Sequence, residues 1–343
     1  MAKRATVADV AKAAGVSVTT VDRALNGRMR VREETLRKIA EAAHRVGYHG
    51  RGLIAHRLNG LLPHVTLGVV LVKGGQAFYR NFAQELEQAM TARPDIRGAV
   101  RISYVASQSP DDFAAAIQSL GEEVDALACV AINHQKLTAA VQDLKDRGVP
   151  VFALLNDMAQ GVRTAYLGLN NMKVGRNAAW MLTRVAAGPG KLAVFVGGNR
   201  WHGHDLREVG FRSYVRGEAP QFSVLDTLVN LETRKVTYEA TLELLRRHED
   251  LSGIYVAGGG MEGAIAALRE MRPPGKVSLV VNELTPDSRA ALADGYVQMV
   301  ISTPLADLSR ALVGAVVDSF DGGSGEGAGQ LFLEPRIILP EML

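Results

Sequence analysis

The chain has 343 residues, too many for one small core; 47% are apolar, 6% aromatic and 22% charged, as in an ordinary α/β protein of two or three domains. One cysteine excludes an intrachain disulfide, and no apolar run is long enough to span a bilayer, so a cytoplasmic protein with no membrane partner is expected. The net charge of +3 is unevenly spread: residues 1–60 hold 12 Lys or Arg against 5 Asp or Glu, and the remainder 27 against 31. A basic head on a mildly acidic body is the electrostatic footprint of a nucleic-acid-binding module.

The first element is the helix VADVAKAA, set by a capping box between Thr6 and Asp9 and stopped at Gly15. Ser17 caps a second helix that ends at Asn26-Gly27, and a third runs over 32–46 with Glu33 and Glu34 in its first turn. Within the second helix, Val18, Thr19, Asp22 and Arg23 are expected to stand outward. Ala11, Gly15 and Val21 have the spacing of a helix-turn-helix: a small residue at the crossing, a left-handed turn position and a packing residue. The stretch GRGLIAHRLNGLLPH, punctuated by Gly50, Gly52, Gly60 and Pro63, reads as a linker.

From Val65 the rhythm changes. Apolar runs such as VTLGVVLV, DALACVAI, VPVFALL, KLAVFVGG, SGIYVAGG and VSLVVNE alternate with helical stretches, the pattern of parallel strands buried on both faces. There are enough such units for two sheets. Cys129, inside ALACVAI, is expected in a buried strand, and DGGSGEGAG (321–329) reads as a flexible loop before a last extended segment.

The head, TVADVAKAAGVSVTTVDRALNG followed by VREETLRKIAEAAHRVGY, closely resembles the LacI/GalR family of bacterial transcription regulators. The resemblance implies that Val18 and Thr19 occupy two base-reading positions and Arg23 the third. Arg can bond guanine O6 and N7 together, and Val offers only apolar contact, as to a thymine methyl. It places Thr6, Ser17, Thr20 and Asn26 at phosphate contacts or helix caps. At Asp22, where many family members carry Ser, a carboxylate would repel phosphate; it either accepts from a cytosine amine or, the favoured reading, orients Arg23 or Arg28.

The family's hinge folds as a helix on its operator and wedges a Leu into the minor groove. LIAHRLNG matches it, with Ala55 and Leu58 at the minor-groove positions, although Gly50-Arg51-Gly52 replaces the usual Pro-Asn and one extra residue follows Tyr48. The alternative is a linker whose Leu packs on the body. For that body, resemblance to periplasmic sugar-binding proteins implies two α/β lobes crossed three times, with a small molecule between them.

Ligands of open parallel sheets lie at the carboxyl ends of the strands. There, by resemblance, Arg207 is the arginine that grips effector hydroxyls and Glu283 the carboxylate that accepts from them. Phe78, Tyr79 and Trp201 are candidate stacking faces, and Asn156, Asp157, Asn170 and Asn171 candidate contacts or caps. Gly258 stands where the family often has Asn or Asp. Two other chemistries compete for this region. GGGMEG (258–263) fits G-x-G-x-x-G after a strand, with Glu283 about twenty residues on, as in an NAD-dependent oxidoreductase. His202, His204 and Asp205 could suggest a metal, but they share one loop without a second cluster.

The expected protein is therefore an all-α helix-turn-helix DNA-binding head plus an α/β body, with two doubly wound parallel-sheet lobes of periplasmic-binding-protein type. The expected divisions are 1–48 for the head, 49–63 for the hinge and 64–343 for the body, its lobes roughly 64–168 with 296–325 and 169–295 with 326–343. The expected partners are double-stranded operator DNA, a sugar, polyol or sugar-acid effector, and a second copy in a homodimer. No cofactor, metal or catalytic residue is expected.

Overall fold

The computed structural model describes residues 5–26, 31–60, 62–198, 200–320 and 329–343, so Arg28, residues 321–328 and the side chains of Ala55 and Asn59 lie outside the description. Its contacts divide the chain into two units, Met1–Val65 with Thr91–Ala99, and Thr66–Met90 with Val100–Leu343.

In the first unit, α1 (Val7–Ala14) opens on Thr6, whose backbone and hydroxyl both donate to the Asp9 carboxylate at 2.8 and 2.7 Å. Gly15, at φ 67°, closes it in the left-handed conformation that a side chain would disfavour. Ser17 Oγ accepts from Thr20 N at the start of α2 (Val18–Asn26). α3 (Glu33–Arg45) follows, and then α4 (Arg51–Asn59), which shows the linker sequence folded as a helix. Val10, Val21, Ala24, Leu36, Ile39, Tyr48 and Ile54 form the core of this unit. Period-3.6 placement of apolar residues on short helices is enough to build it.

The body begins with β1 (His64–Val72), α5 (Ala77–Thr91), β2 (Arg97–Val105), α6 (Pro110–Gly121), β3 (Ala126–Cys129), α7 (Gln135–Asp146), β4 (Val151–Leu154) and β5 (Ala165–Leu169). The chain then builds α8 (Asn171–Val185), β6 (Lys191–Val196), α9 (His202–Glu218), β7 (Ser223–Val224), β8 (Leu228–Val229), α10 (Arg234–Arg247), β9 (Leu251–Val256), α11 (Met261–Met271), β10 (Ser278–Asn282), α12 (Pro286–Ala293) and β11 (Met299–Ser302). It ends with α13 (Leu305–Phe320), β12 (Gln330–Leu333) and β13 (Arg336–Ile338), followed by one 3-10 turn.

Two sheets result, ordered β12-β5-β4-β3-β1-β2 and β13-β11-β10-β9-β6-β7, with β8 also paired to β6. The described ladders are parallel except the one between β13 and β11. Alternation along β6 sends Leu192, Val194 and Val196 to one apolar layer and Ala193 and Phe195 to the other. Helices therefore cover both faces of the second sheet. No helix among the described residues is long and apolar enough to cross a membrane.

The lobe divisions expected from sequence need correction. The chain changes sheets after β5, after β11 and after β12, so 299–302 stays with the second sheet and 330–333 joins the first. β11 pairs in parallel with β10, and Gln330 to Leu333 pair with Tyr166 to Leu169. An apolar run announces a strand, but its sheet is chosen by partners that no local pattern names.

The crossing of α8 and α9 is unusually close. A Cβ on Gly175 of α8 would lie 1.8 Å from Arg207 O, and one on Gly210 of α9 would lie 2.1 Å from Met172 O. Only glycines let these two helices approach to that distance, and α9 carries Arg207 into the body's interior.

Candidate functional site

On the head, α2 buries Val21 and Ala24 and leaves Ser17, Val18, Thr19, Asp22, Arg23 and Asn26 exposed, with Thr20 half-buried. Val18 is 51% exposed, unusual for an apolar side chain on so small a core. Thr6, Ser17 and Thr20 are engaged in the two helix caps.

Asp22 makes no bond to Arg23, one of the two partners expected for it; the other, Arg28, lies outside the described residues. Its Oδ1 accepts from Asn26 Nδ2 at 2.7 Å, because residues four apart share a helix face and Arg23, one position on, points about 100° away. Leu58 is also not an exposed wedge: it is half-buried against the head core beside fully buried Ile54, and among the described side chains of α4 the exposed large apolar one is Leu53.

In the body, a cavity of about 350 Å³ opens between the carboxyl ends of the two sheets. Phe78, Tyr79, Asn156, Trp201, Arg207 and Glu283 all line it; Asp157 and Asn171 do not. Arg207 is buried and aimed by two bonds, Nε to Asn171 Oδ1 at 2.7 Å and Nη1 to Ala257 O at 2.5 Å. Asn171 in turn donates to the Tyr166 hydroxyl. Asn171 therefore positions the arginine and does not face the ligand space, and Asn170 caps α8.

Asp157 is another correction: its carboxylate is taken by Arg163 in a buried two-bond pair, with Gln160 and Gln330 also donating to it. Asn156 is fixed from both sides, donating to Ala131 O and accepting from Gly203 N.

Glu283 sits at φ 70° and receives Ser302 Oγ, Thr303 N and Thr303 Oγ1 at 3.0, 2.9 and 2.6 Å. Burial pushes its pKa up, against the pull of those bonds and of Arg207. Tyr79 turns its phenol the same way: burial, then the charges of Glu232 and Glu283, raise its pKa well above the ordinary value. Phe78 meets Tyr79 edge to face at 5.1 Å, and Trp201 Nε1 donates to Gln108 across the cleft.

Sequence reading missed Glu232. It follows β8 at φ 53° and holds Lys73, from the end of β1 in the other lobe, at 2.7 Å; Gly259 N donates to its second oxygen. Neither residue belongs to a motif, and they lie 159 positions apart. His204 Nε2 stands 3.9 Å from the same carboxylate, while its Nδ1 accepts from Gly197 N. That bond requires an unprotonated Nδ1. Burial, ahead of all other causes, lowers the His204 pKa from 6.5 to about 4.

A histidine with a depressed native pKa takes up a proton more readily when unfolded. Its stabilising contribution is complete above about pH 6.5 and is lost as pH falls toward about 4, a cost of about 3 kcal/mol. Urea unfolding of wild type and His204→Gln at pH 7 and pH 4 is the check. The decline between the two pH values should be shallower in the variant by about that amount.

The glycines of GGGMEG have packing reasons: a Cβ at Gly258 would reach 2.4 Å from His204 Cε1, and one at Gly260 2.4 Å from Thr237 Oγ1. His202, His204 and Asp205 form no metal-holding group, nor does any other set among the described residues.

Two sheets with a ligand-sized cavity at their carboxyl ends define a periplasmic binding protein domain, and residues 67–324 match the family model of that description. Residues 6–50 match the model of bacterial regulatory proteins of the lacI family, and the chain belongs to that family.

Among its relatives, the catabolite control protein A of Priestia megaterium is 29% identical over 154 residues, 43% of this chain and 42% of that protein. The sucrose operon repressor of Streptococcus mutans is 25% identical over 256 residues, 74% of this chain and 73% of the repressor.

Among solved structures, a solute-binding protein of Burkholderia graminis in complex with D-arabinose superposes with a TM-score of 0.74 at 18% identity, over 81% of this chain and 96% of that one. GanP, a glucose-galactose binding protein of Geobacillus stearothermophilus, gives 0.74 at 16% identity, over 82% and 99%. These likenesses define the fold.

Proposed function

We propose that this chain represses transcription as a homodimer on a pseudo-palindromic operator, and that a sugar or polyol bound in the body cavity changes its operator affinity. The observation that carries the reading is one chain holding both an exposed, basic helix-turn-helix face and a cavity with an aimed arginine. The sucrose operon repressor among the relatives supports repression, and the sugar-bound and sugar-binding neighbours of the body support the ligand class.

In this reading Arg23 reads a guanine, Val18 and Thr19 contact neighbouring bases, and Thr6, Ser17, Thr20 and Asn26 meet the phosphate backbone or brace α2. Ala55 and Leu58 stay candidates for the minor groove, and Leu58 would have to leave the head core to act there. In the cavity, Arg207 and Glu283 hold hydroxyls, Asn156 contributes from the first lobe, and Phe78, Tyr79 and Trp201 cover the ring faces. Effector and operator then influence each other reciprocally, because each biases the same pair of body states.

The test is a gel-shift titration against the DNA upstream of the protein's own gene at fixed salt, with a panel of sugars and polyols added in turn. A specific shift that one compound alters is the expected result. Arg23→Ala should weaken the specific shift by about tenfold to a hundredfold and leave non-specific binding nearly unchanged. If the variant binds the operator as wild type does, α2 is not the reading helix.

A further inference from the structure

Two helices begin at the rim of the cavity. α11 starts from Gly260, which is at φ 91° and offers no capping side chain, and α12 starts from Thr285; Gly260, Met261, Thr285 and Pro286 all line the cavity. Helix starts carry partial positive charge and, where uncapped, free N–H groups; α11 is uncapped, and α12 keeps the charge although Thr285 and Ser288 cap it and Pro286 has no N–H, so both ends favour an anion. Here each helix has a carboxylate at its second residue, Glu262 and Asp287, and both line the cavity.

Neither carboxylate has a hydrogen bond to a described residue. Further in, Glu283 faces the guanidinium of Arg207, and Glu232 is offset by its ion pair with Lys73, so Glu262 and Asp287 are the carboxylates of the wall without a paired cation among the described residues.

A separate observation points to a ligand oxygen. Asn282, 2% exposed, also lines the cavity; its Oδ1 accepts from the Tyr255 hydroxyl, and its Nδ2 is buried with no partner. A buried amide donor is costly unless it finds an acceptor. A ligand hydroxyl can supply one, and unlike a carboxylate or phosphate it brings no negative charge beside Glu262 and Asp287.

We propose that Glu262 and Asp287 set the charge specificity of the cavity: by occupying the anion seat of two helix starts, they admit hydroxylated ligands without an anionic group and refuse sugar acids and sugar phosphates. This rests on the cavity being the effector site, and it narrows the class expected from sequence by removing sugar acids.

The test uses the full chain at about 0.15 M ionic strength, where charges a few ångströms apart remain weakly screened. Calorimetry compares matched sets (D-glucose, D-glucosamine, D-glucuronate and D-glucose 6-phosphate, and the galactose equivalents) on wild type and on the double variant E262Q/D287N. Inorganic phosphate is titrated separately into both.

For wild type, the uronate and the phosphate should bind at least about tenfold more weakly than their neutral parent, and the amine no more weakly. In the double variant that gap should close to about threefold, and inorganic phosphate should bind the variant alone. The charge-preserving pair E262D/D287E should keep the discrimination, which separates loss of charge from disturbed folding.

A uronate that binds wild type as tightly as its parent overturns the proposal, as does a double variant that gains nothing for any anion. If neither parent sugar binds but phosphate binds only the double variant, the charge reading stands and these two hexoses are excluded as effectors.

Discussion

Asp157→Ala is expected to destabilise the body by about 3–5 kcal/mol, because it leaves a buried guanidinium without its counter-charge. The carboxylate is 4% exposed and receives Arg163 through Nε and Nη2 at 2.5 and 2.8 Å, with Gln160 at 2.8 Å and Gln330 at 3.3 Å beside them. Arg163 also donates to Gly329 O, so the pair ties the loop after β4 to the segment that enters β12.

An exposed pair of the same geometry would contribute under about 1 kcal/mol. Burial is what raises the cost of breaking this one. Urea unfolding at pH 7 measures the loss, and calorimetry under native conditions measures ligand affinity in the same variant. Stability should fall by the stated amount while affinity changes by less than about threefold. A small stability loss with a large affinity loss would return Asp157 to the ligand site.

That contrast shows where sequence reasoning reached its end. Asn156-Asp157 at the close of a strand reads the same whether a carboxylate turns to a cavity or to an arginine six residues on. By comparison, the bounds of α1 and α2 were legible because caps are local: Thr6 with Asp9, Gly15, and Ser17 with Thr20 lie within one turn of each other. The exposed face of α2 followed from the same short-range periodicity.

Asp22 falls between these cases: Asn26 is one turn away and shares its helix face, but a carboxylate there has more than one local partner to choose from. The sheet membership of β11 and β12 and the meeting of Lys73 with Glu232 depend on chain distant in sequence. The wall residues Arg207 and Glu283 were found only because a family resemblance supplied the positions; composition and spacing alone did not distinguish them from other charged residues of the body.

Arg207→Ala should lower ligand affinity by about tenfold to a hundredfold, the loss expected for one charge-assisted hydrogen bond to a ligand oxygen. Nε and Nη1 are spent on Asn171 and Ala257, which leaves Nη2 as the nitrogen without a hydrogen bond to a described residue. Removing the side chain also strands Asn171 Oδ1 and Ala257 O, so a stability loss of about 1–3 kcal/mol should accompany the affinity loss.

Affinity and stability must therefore be separated. Asn171→Ala removes the brace but keeps the guanidinium: it should show a comparable stability loss and only a partial affinity loss. Arg207→Lys keeps a charge but lacks the fork that serves two acceptors and a ligand together, and it should lose response as well. If Arg207→Ala loses stability while the sugar still shifts the operator titration at the wild-type concentration, Arg207 braces the α8–α9 crossing and the hydroxyl contacts must come from the Glu283 side of the cavity.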